Sequence, residues 1–256
     1  MDELNQAPHA LVVALAEAWR NGTPLAAETA RRLAPDSRTA AYATQAVLGQ
    51  RLGWWPAGRP HAWKLAMGQP PLAAPIPDAL LLPSPARLAS WVSVPGIEVE
   101  LAVRLSRALL PGAGRDECEA AVGETLAVIE RFDVRAEGWP ELPQNFLLAD
   151  LQMHAGLVLG SGVQGWPGDT SLTLNIAAPP GSTWQHPLGD PLALLPWLAE
   201  HAAAQGWTLQ AGDLIATGSW CGMYEVPPGG CVRARFDGIG EVELKRSSSS
   251  VREAKT

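Results

Sequence analysis

The sequence is short of cysteine, of long apolar runs and of positive charge. Only Cys118, Cys221 and Cys231 occur in 256 residues. Three cysteines at wide spacing form neither a disulfide framework nor a CxxC zinc motif, and they suit a reducing, cytoplasmic setting. The apolar run Ala10 to Ala16 is too short to span a bilayer, and no basic segment precedes it as a secretion signal requires. Lys plus Arg number 19 against 26 Asp plus Glu, a formal charge of -7. A surface of that sign argues against nucleic-acid and membrane partners. A small anionic substrate then needs a local cation or a metal. Lysine is especially scarce: Lys64 is the only one before Lys245.

What is present is a core. Hydrophobic types make up 47% of the chain, including eleven tryptophans, enough for one large domain or a main domain with a smaller partner. Leu11, Val12, Leu15 and Trp19 recur at helical spacing until Arg20-Asn21-Gly22 ends the pattern. A second helix is predicted over Ser37 to Leu52, opening on a Ser cap, with Ala40, Tyr42 and Val47 near one face. From Pro56 the texture changes to short apolar segments broken by Pro and Gly, which favour strands and loops. Helical patterns return at Arg115 to Val122 and Pro191 to Gln205. The stretch GGCVRARFDGIGEVELKR alternates, turns at Asp237-Gly238 and alternates again, a β-hairpin. The division expected is an amino-terminal helical α+β region over 1–85, a β-rich domain over 86–246 and a disordered tail over 247–256.

The segment GIEVELAVRL places Ile97, Val99, Leu101 and Val103 on one side of a strand and Glu98 and Glu100 on the other, about 7 Å apart at roughly 3.3 Å per residue. In AVIERFDVR, Glu130 shares parity with Val128, Phe132 and Val134, on the apolar face, while Asp133 and Arg135 point the other way. A buried carboxylate requires a partner. Two accounts are open: a salt bridge from Glu130 to Arg104 or Arg131, or a hard divalent cation, Mg²⁺ or Mn²⁺, held by oxygen ligands from all three glutamates.

Taken in order, GIEVELAVRL, AVIERFDVR, NFLLADLQMHAGLVLG, HPLGDPLALLPWLAEH and LQAGDLIATGSW resemble the fumarylacetoacetate hydrolase superfamily, in its 2-keto-4-pentenoate hydratase and 4-oxalocrotonate decarboxylase branch, over about Ala40 to Lys245. The resemblance implies an α+β fold, a mixed β-sandwich roll with a smaller amino-terminal α/β region. It implies Mg²⁺ or Mn²⁺ on Glu98, Glu100 and Glu130, a 2-keto or 2-enol acid as substrate, and a homo-oligomer. It assigns catalysis to Lys64 and Asp78, and substrate contacts to Met67, Gln152, His154, Thr217 and Ser219. The implied activity is a hydratase acting on a 2-hydroxy-2,4-dienoate in the catabolism of aromatic compounds. Alternatives are a 4-oxalocrotonate-type decarboxylase, an acylpyruvate C–C hydrolase with His61 or His154 as its base, and a catalytically silent partner subunit.

Departures fall around the substrate pocket. Ala66 stands where the family has Gly, Gly68 and Gln69 replace polar residues, and the family's Asp-Asn-Ala-Ser segment becomes Asp150 to His154, DLQMH. Trp220 follows Thr217-Gly218-Ser219 where the family is smaller. Trp63 and Trp220 are candidates to close over an apolar substrate tail.

Overall fold

A computed structural model describes residues 8–55, 58–88, 93–168, 174–176 and 183–248. The tail expected to be disordered lies outside these beyond Ser248, as does Trp91. Ser247, at the start of that tail, donates its amide to the Leu88 carbonyl at 2.9 Å.

The amino-terminal helices form because apolar spacing and end signals agree. Helix α1 (His9–Asn21) buries Leu11, Val12 and Leu15 and stops at Gly22, whose left-handed φ of 62° lets its amide return to the Ala18 carbonyl. A short α2 (Ala27–Leu33) follows. Helix α3 (Arg38–Leu52) opens where the Ser37 hydroxyl accepts the Ala40 amide at 3.1 Å, a cap contributing about 1 kcal/mol. Its buried residues include Ala41, Thr44, Gln45 and Leu48, not the Ala40, Tyr42 and Val47 face read from sequence. An alanine-rich helix has little amphipathic contrast, so its partners choose the face. Here Gln45 donates to the Leu148 carbonyl at 2.6 Å. Helix α4 (Arg115–Ala121) lies as expected. Helix α5 (Gln144–Ala149), which the sequence pattern does not signal, is too short for a period to show. Helix α6 (Leu195–Ala204) starts later than Pro191, with Pro196 in its first turn.

The strands are β1 (Ala62–Ala66), β2 (Leu72–Ile76), β3 (Leu81–Pro83), β4 (Ala86–Leu88), β5 (Gly96–Leu105), β6 (Val122–Phe132), β7 (His154–Gln164), β8 (Leu174–Ile176), β9 (Thr183–Trp184), β10 (Leu214–Ala216), β11 (Tyr224–Glu225), β12 (Cys231–Phe236) and β13 (Gly240–Arg246). The larger sheet runs β2-β1-β10-β5-β6-β7-β3, with β11 also on β5; the smaller runs β4-β13-β12-β8-β9. Strands from both sides of residue 85 therefore share the larger sheet. Its end strands β2 and β3 are separated by only four residues, 77–80. So short a link requires the sheet to curl until its ends approach.

Curling gives each long strand two different insides. The odd-numbered side of β5 and β6, with Ile97, Val99, Leu101, Ala127 and Ile129, packs against Val232, Ala234, Phe236, Val242 and Leu244 of the smaller sheet. Gly160 permits that approach, since a Cβ there would lie 2.2 Å from the Glu241 carbonyl oxygen. The even-numbered side faces the interior of the curl, where Ala62, Ile76, Ala102, Leu126, Val128, Leu157, Leu214 and Ala216 form a separate apolar layer. The glutamates continue that side beyond the layer.

Candidate metal centre

Register decides where the carboxylates meet. Strands β5 and β6 pair antiparallel with Glu98 opposite Glu130 and Glu100 opposite Val128, so all three glutamates share one face. One oxygen from each of Glu98, Glu100 and Glu130 lies within 4.8 Å of the others. Glu100 and Glu130 are fully buried and Glu98 is half-buried. Across the sheet, Lys64 of β1 is opposite Ala216 of β10, which is opposite Ala102 of β5. The buried Lys64 ammonium donates to Glu130 Oε1 at 2.6 Å and to the Gln152 carbonyl at 3.2 Å. His154 Nδ1 reaches the same Glu130 oxygen at 2.9 Å. Glu100 is held from the other side, its Oε2 accepting the Gly218 amide at 2.8 Å. Gly218 has a φ of +109°, a conformation that side-chain-bearing residues rarely adopt.

The salt-bridge account named the wrong cation. Arg104 pairs with Glu124 at 3.1 Å and Arg131 with Asp133 at 3.6 Å, while Glu130 takes Lys64. A lysine 66 residues away in sequence is brought in by the curl, which strand parity cannot report.

Charge in the cluster is unbalanced. Burial first, and then the charge of Glu130, hold the Glu98 and Glu100 carboxyls above their ordinary pKa. Burial also works to raise Glu130, but the Lys64 charge and the His154 hydrogen bond overcome it, so Glu130 sits below its ordinary value. Lys64 is raised because the three glutamates outweigh its burial. His154 is lowered, burial prevailing over its bond to Glu130. Three carboxylates thus face one ammonium, and Glu130 Oε2 is buried without a partner among the described residues. Two uncompensated negative charges, all-oxygen donors and a spacing that two ligand bonds of about 2.1–2.4 Å can bridge fit a hard divalent cation.

The other predicted residues divide. Gln152 belongs to the site: with Leu151 and Met153 it forms a left-handed turn, φ 47°, 50° and 65°. Such residues cost about 1–2 kcal/mol each. The turn is held by Met153 N to the Asp150 carbonyl and Asp133 N to the Met153 carbonyl, both 2.9 Å. Ser219 stands beside Glu98 and moderates its shift. Thr217 spends its hydroxyl on the Leu101 carbonyl at 2.9 Å. Met67, 53% exposed, follows the end of β1. Asp78 is not in the cluster: it is 47% exposed and lies 3.6 Å from His61. Trp63 and Trp220 do not cover the site as anticipated. Strand alternation turns Trp63 away from its neighbour Lys64, onto Trp207 at 5.5 Å, and Trp220 packs edge-on to Phe236 at 4.9 Å.

Sequence reasoning missed the Gly218 amide, which no side chain announces, and His186, the first residue of the HPLGD segment. His186 is buried edge-on to Trp220, with Nε2 3.7 Å from where a Gly218 Cβ would lie.

No family model matches the chain. Two curated relatives do, both 2-keto-4-pentenoate hydratases. The one from Paraburkholderia phymatum is 30% identical over 194 residues, 72% of each chain. The one from Burkholderia vietnamiensis is 31% identical over 165 residues, 62% of each. Among solved structures, the 4-oxalocrotonate decarboxylase of Pseudomonas putida G7, complexed with magnesium and adipate, superposes with a TM-score of 0.77 at 21% identity, covering 93% of this chain and 96% of that one. That likeness bears out the α+β roll expected from the sequence. With the Paraburkholderia relative matching over most of both lengths, the chain belongs to the 2-keto-4-pentenoate hydratase family of the fumarylacetoacetate hydrolase superfamily.

Proposed function

We propose that this chain is a divalent-metal-dependent hydratase, using Mg²⁺ or Mn²⁺ to add water to a 2-hydroxy-2,4-dienoate or 2-keto-4-pentenoate-type acid. The observation that carries the reading is the cluster of Glu98, Glu100 and Glu130, overloaded with negative charge around one lysine, on a chain of this family. A divalent cation bound there supplies positive charge where the negative charge of an enolate develops. The chain's own residues do the rest. Lys64 is clamped between Glu130 and the Gln152 carbonyl, so it contributes a fixed positive charge beside the reacting acid. Gly218 and the Lys64–His154 clamp fix the orientation of Glu100 and Glu130. Gln152 and His154 provide the substrate-facing polar groups in place of the family's amide and hydroxyl. Ser219 and Met67 complete the substrate contacts, and Thr217 acts by fixing the end of β10 that leads to Ser219. Asp78 is retained as a proton-transfer group only through an approach of substrate from the His61 side, which Asp78→Asn tests.

Proton NMR in D₂O with Mg²⁺ and 2-hydroxypenta-2,4-dienoate, 4-oxalocrotonate and an acylpyruvate, run side by side, tests the reading. Formation of 4-hydroxy-2-oxopentanoate supports it. Carbon dioxide from 4-oxalocrotonate would make the chain a decarboxylase, pyruvate plus a free acid a hydrolase, and no reaction with any of the three a silent homologue. We further propose a cytoplasmic homo-oligomer, for which sedimentation velocity is the check. No helix among the described residues is long and apolar enough to cross a membrane.

A further inference from the structure

His154 is fully buried, yet only one of its two ring nitrogens is used. Its Nδ1 lies 2.9 Å from Glu130 Oε1, an oxygen that already accepts from Lys64 at 2.6 Å. A carboxylate oxygen in that position only accepts, so Nδ1 carries the hydrogen and the neutral ring leaves Nε2 as a bare acceptor. Nε2 has no partner among the described residues, and neither does the amide oxygen of Gln152, two residues earlier on the left-handed turn. Two buried acceptors without donors, on the segment that Lys64 touches through the Gln152 carbonyl, call for a ligand that brings hydrogens and not another anion. Water is such a ligand, and hydration consumes one.

We infer that His154 is a further catalytic residue, whose Nε2 and the Gln152 amide oxygen together hold the water that adds to the substrate. This rests on the hydratase reading above. In the step, the 2-hydroxy-2,4-dienoate first becomes the 2-keto-3-enoate, its enol oxygen losing a proton and C5 gaining one from solvent; the water oxygen then bonds to C4 and the C3–C4 π pair moves toward C3 and the C2 oxygen. The water, held by its hydrogens, gives up one proton to solvent as it bonds, and C3 gains a proton from solvent, so one water is consumed and no redox partner is needed. Enolisation at C3 requires no such water. The two reactions should therefore separate at this residue.

The test is His154→Asn, because the Asn amide reproduces the Nδ1 donor to Glu130 and deletes the Nε2 acceptor. Three quantities are read: Mn²⁺ affinity by titration calorimetry, deuterium uptake at C3 of 2-oxobutanoate, and hydration of 2-hydroxypenta-2,4-dienoate. We expect hydration to fall by about 10²–10⁴, at least about tenfold more than either of the other two quantities. Unchanged hydration overturns the inference. So does a parallel fall of all three, which would mean that His154 acts only through Glu130. Nitrogen-15 NMR of the unmodified, Mg²⁺-loaded protein gives a reading that needs no variant: the Nδ1–H tautomer is expected, and an Nε2–H tautomer overturns the assignment. Failure of the hydratase reading shows up separately, as an unmodified protein that exchanges C3 deuterium or releases another product and never hydrates.

Discussion

Two clusters of buried charge each tie the two ends of the link between β6 and β7 together, and they are built on opposite principles. In the first, Asp150 and Arg135 satisfy each other: Nε of Arg135 reaches Asp150 Oδ1 at 2.8 Å, its amide reaches Oδ2 at 2.8 Å, and the guanidinium lies 4.2 Å over the ring of Trp19. One anion meets one cation. In the second, three carboxylates share one ammonium, and Glu130 Oε2, Gln152 Oε1 and His154 Nε2 are left without partners among the described residues. Burial of charge is thus common to both, and what marks the second as functional is the remainder. A balanced pair serves the fold alone, whereas an unbalanced one requires something from outside.

The largest effects should come from removing the remainder or its counterion. Glu98→Gln, Glu100→Gln and Glu130→Gln should each weaken Mn²⁺ binding by about 10²-fold or more while the chain still folds, because each removes a charged ligand. Titration calorimetry measures it, and unchanged affinity in all three ends the metal-site reading. Lys64→Met should lower kcat and kcat/KM together by about 10²–10⁴, as expected for a charge felt in the transition state. Lys245→Met and Glu241→Gln, both on the outer face of β13, serve as controls and should change neither.

The balanced cluster should answer in stability instead. Arg135→Met leaves Asp150 buried and unpaired, a loss of about 3–5 kcal/mol. Because Asp150 anchors the left-handed turn that carries Gln152, any hydration defect follows the lost fold and should vanish at temperatures where the variant is fully folded. Urea denaturation decides it. A variant as stable as the parent would remove the distinction between the clusters.

How much of this contrast the sequence carries depends on range. Parity placed Glu98, Glu100 and Glu130 on their strand faces because a strand's period is local, and scarcity together with family likeness singled out Lys64. The pairing of Glu98 with Glu130, and of Glu130 with Lys64, depends on register and curl, which the pattern of neighbours does not encode; Arg131, adjacent in sequence, was the natural but incorrect partner. Alternation could have shown that Trp63 faces away from Lys64. The Gly218 amide, a backbone donor placed by a positive φ, had no signal to read. The α3 face failed for a related reason, since alanines on every side leave the choice to α1 and α5.

Metal-free protein offers a finer probe of the imbalance. Glu98 and Glu100 bind protons more tightly in the fold than in the unfolded chain. Above the ordinary glutamate value of 4.5 the unfolded chain therefore holds fewer protons, and stability falls as pH rises through the folded values. Glu130, lowered by Lys64, works the other way, but below 4.5. The melting temperature of metal-free parent, taken relative to that of metal-free Glu100→Gln, should decline between pH 5 and 7, and saturating Mg²⁺ should reverse the trend. A difference between parent and Glu100→Gln that grows in the parent's favour across that range would contradict the charge imbalance.

The smallest effect tests whether burial without a charged partner behaves differently again. His201 of α6 stacks on Trp197 at 4.7 Å and 15° and meets Tyr42 at 4.4 Å. Burial alone pushes its pKa down to about 4. Its unfolded value is about 6.5, so between 6.5 and 4 the unfolded chain binds the extra proton and the fold loses stability as pH falls. The loss is on the order of 2 kcal/mol at pH 5. His201→Phe keeps a flat ring against Trp197 and has nothing to protonate. Thermal melts of Mg²⁺-saturated parent and variant at pH 7, 6 and 5 should diverge, the parent losing ground to the variant at each step. Parallel curves would mean that His201 is charged in the fold and finds a partner there.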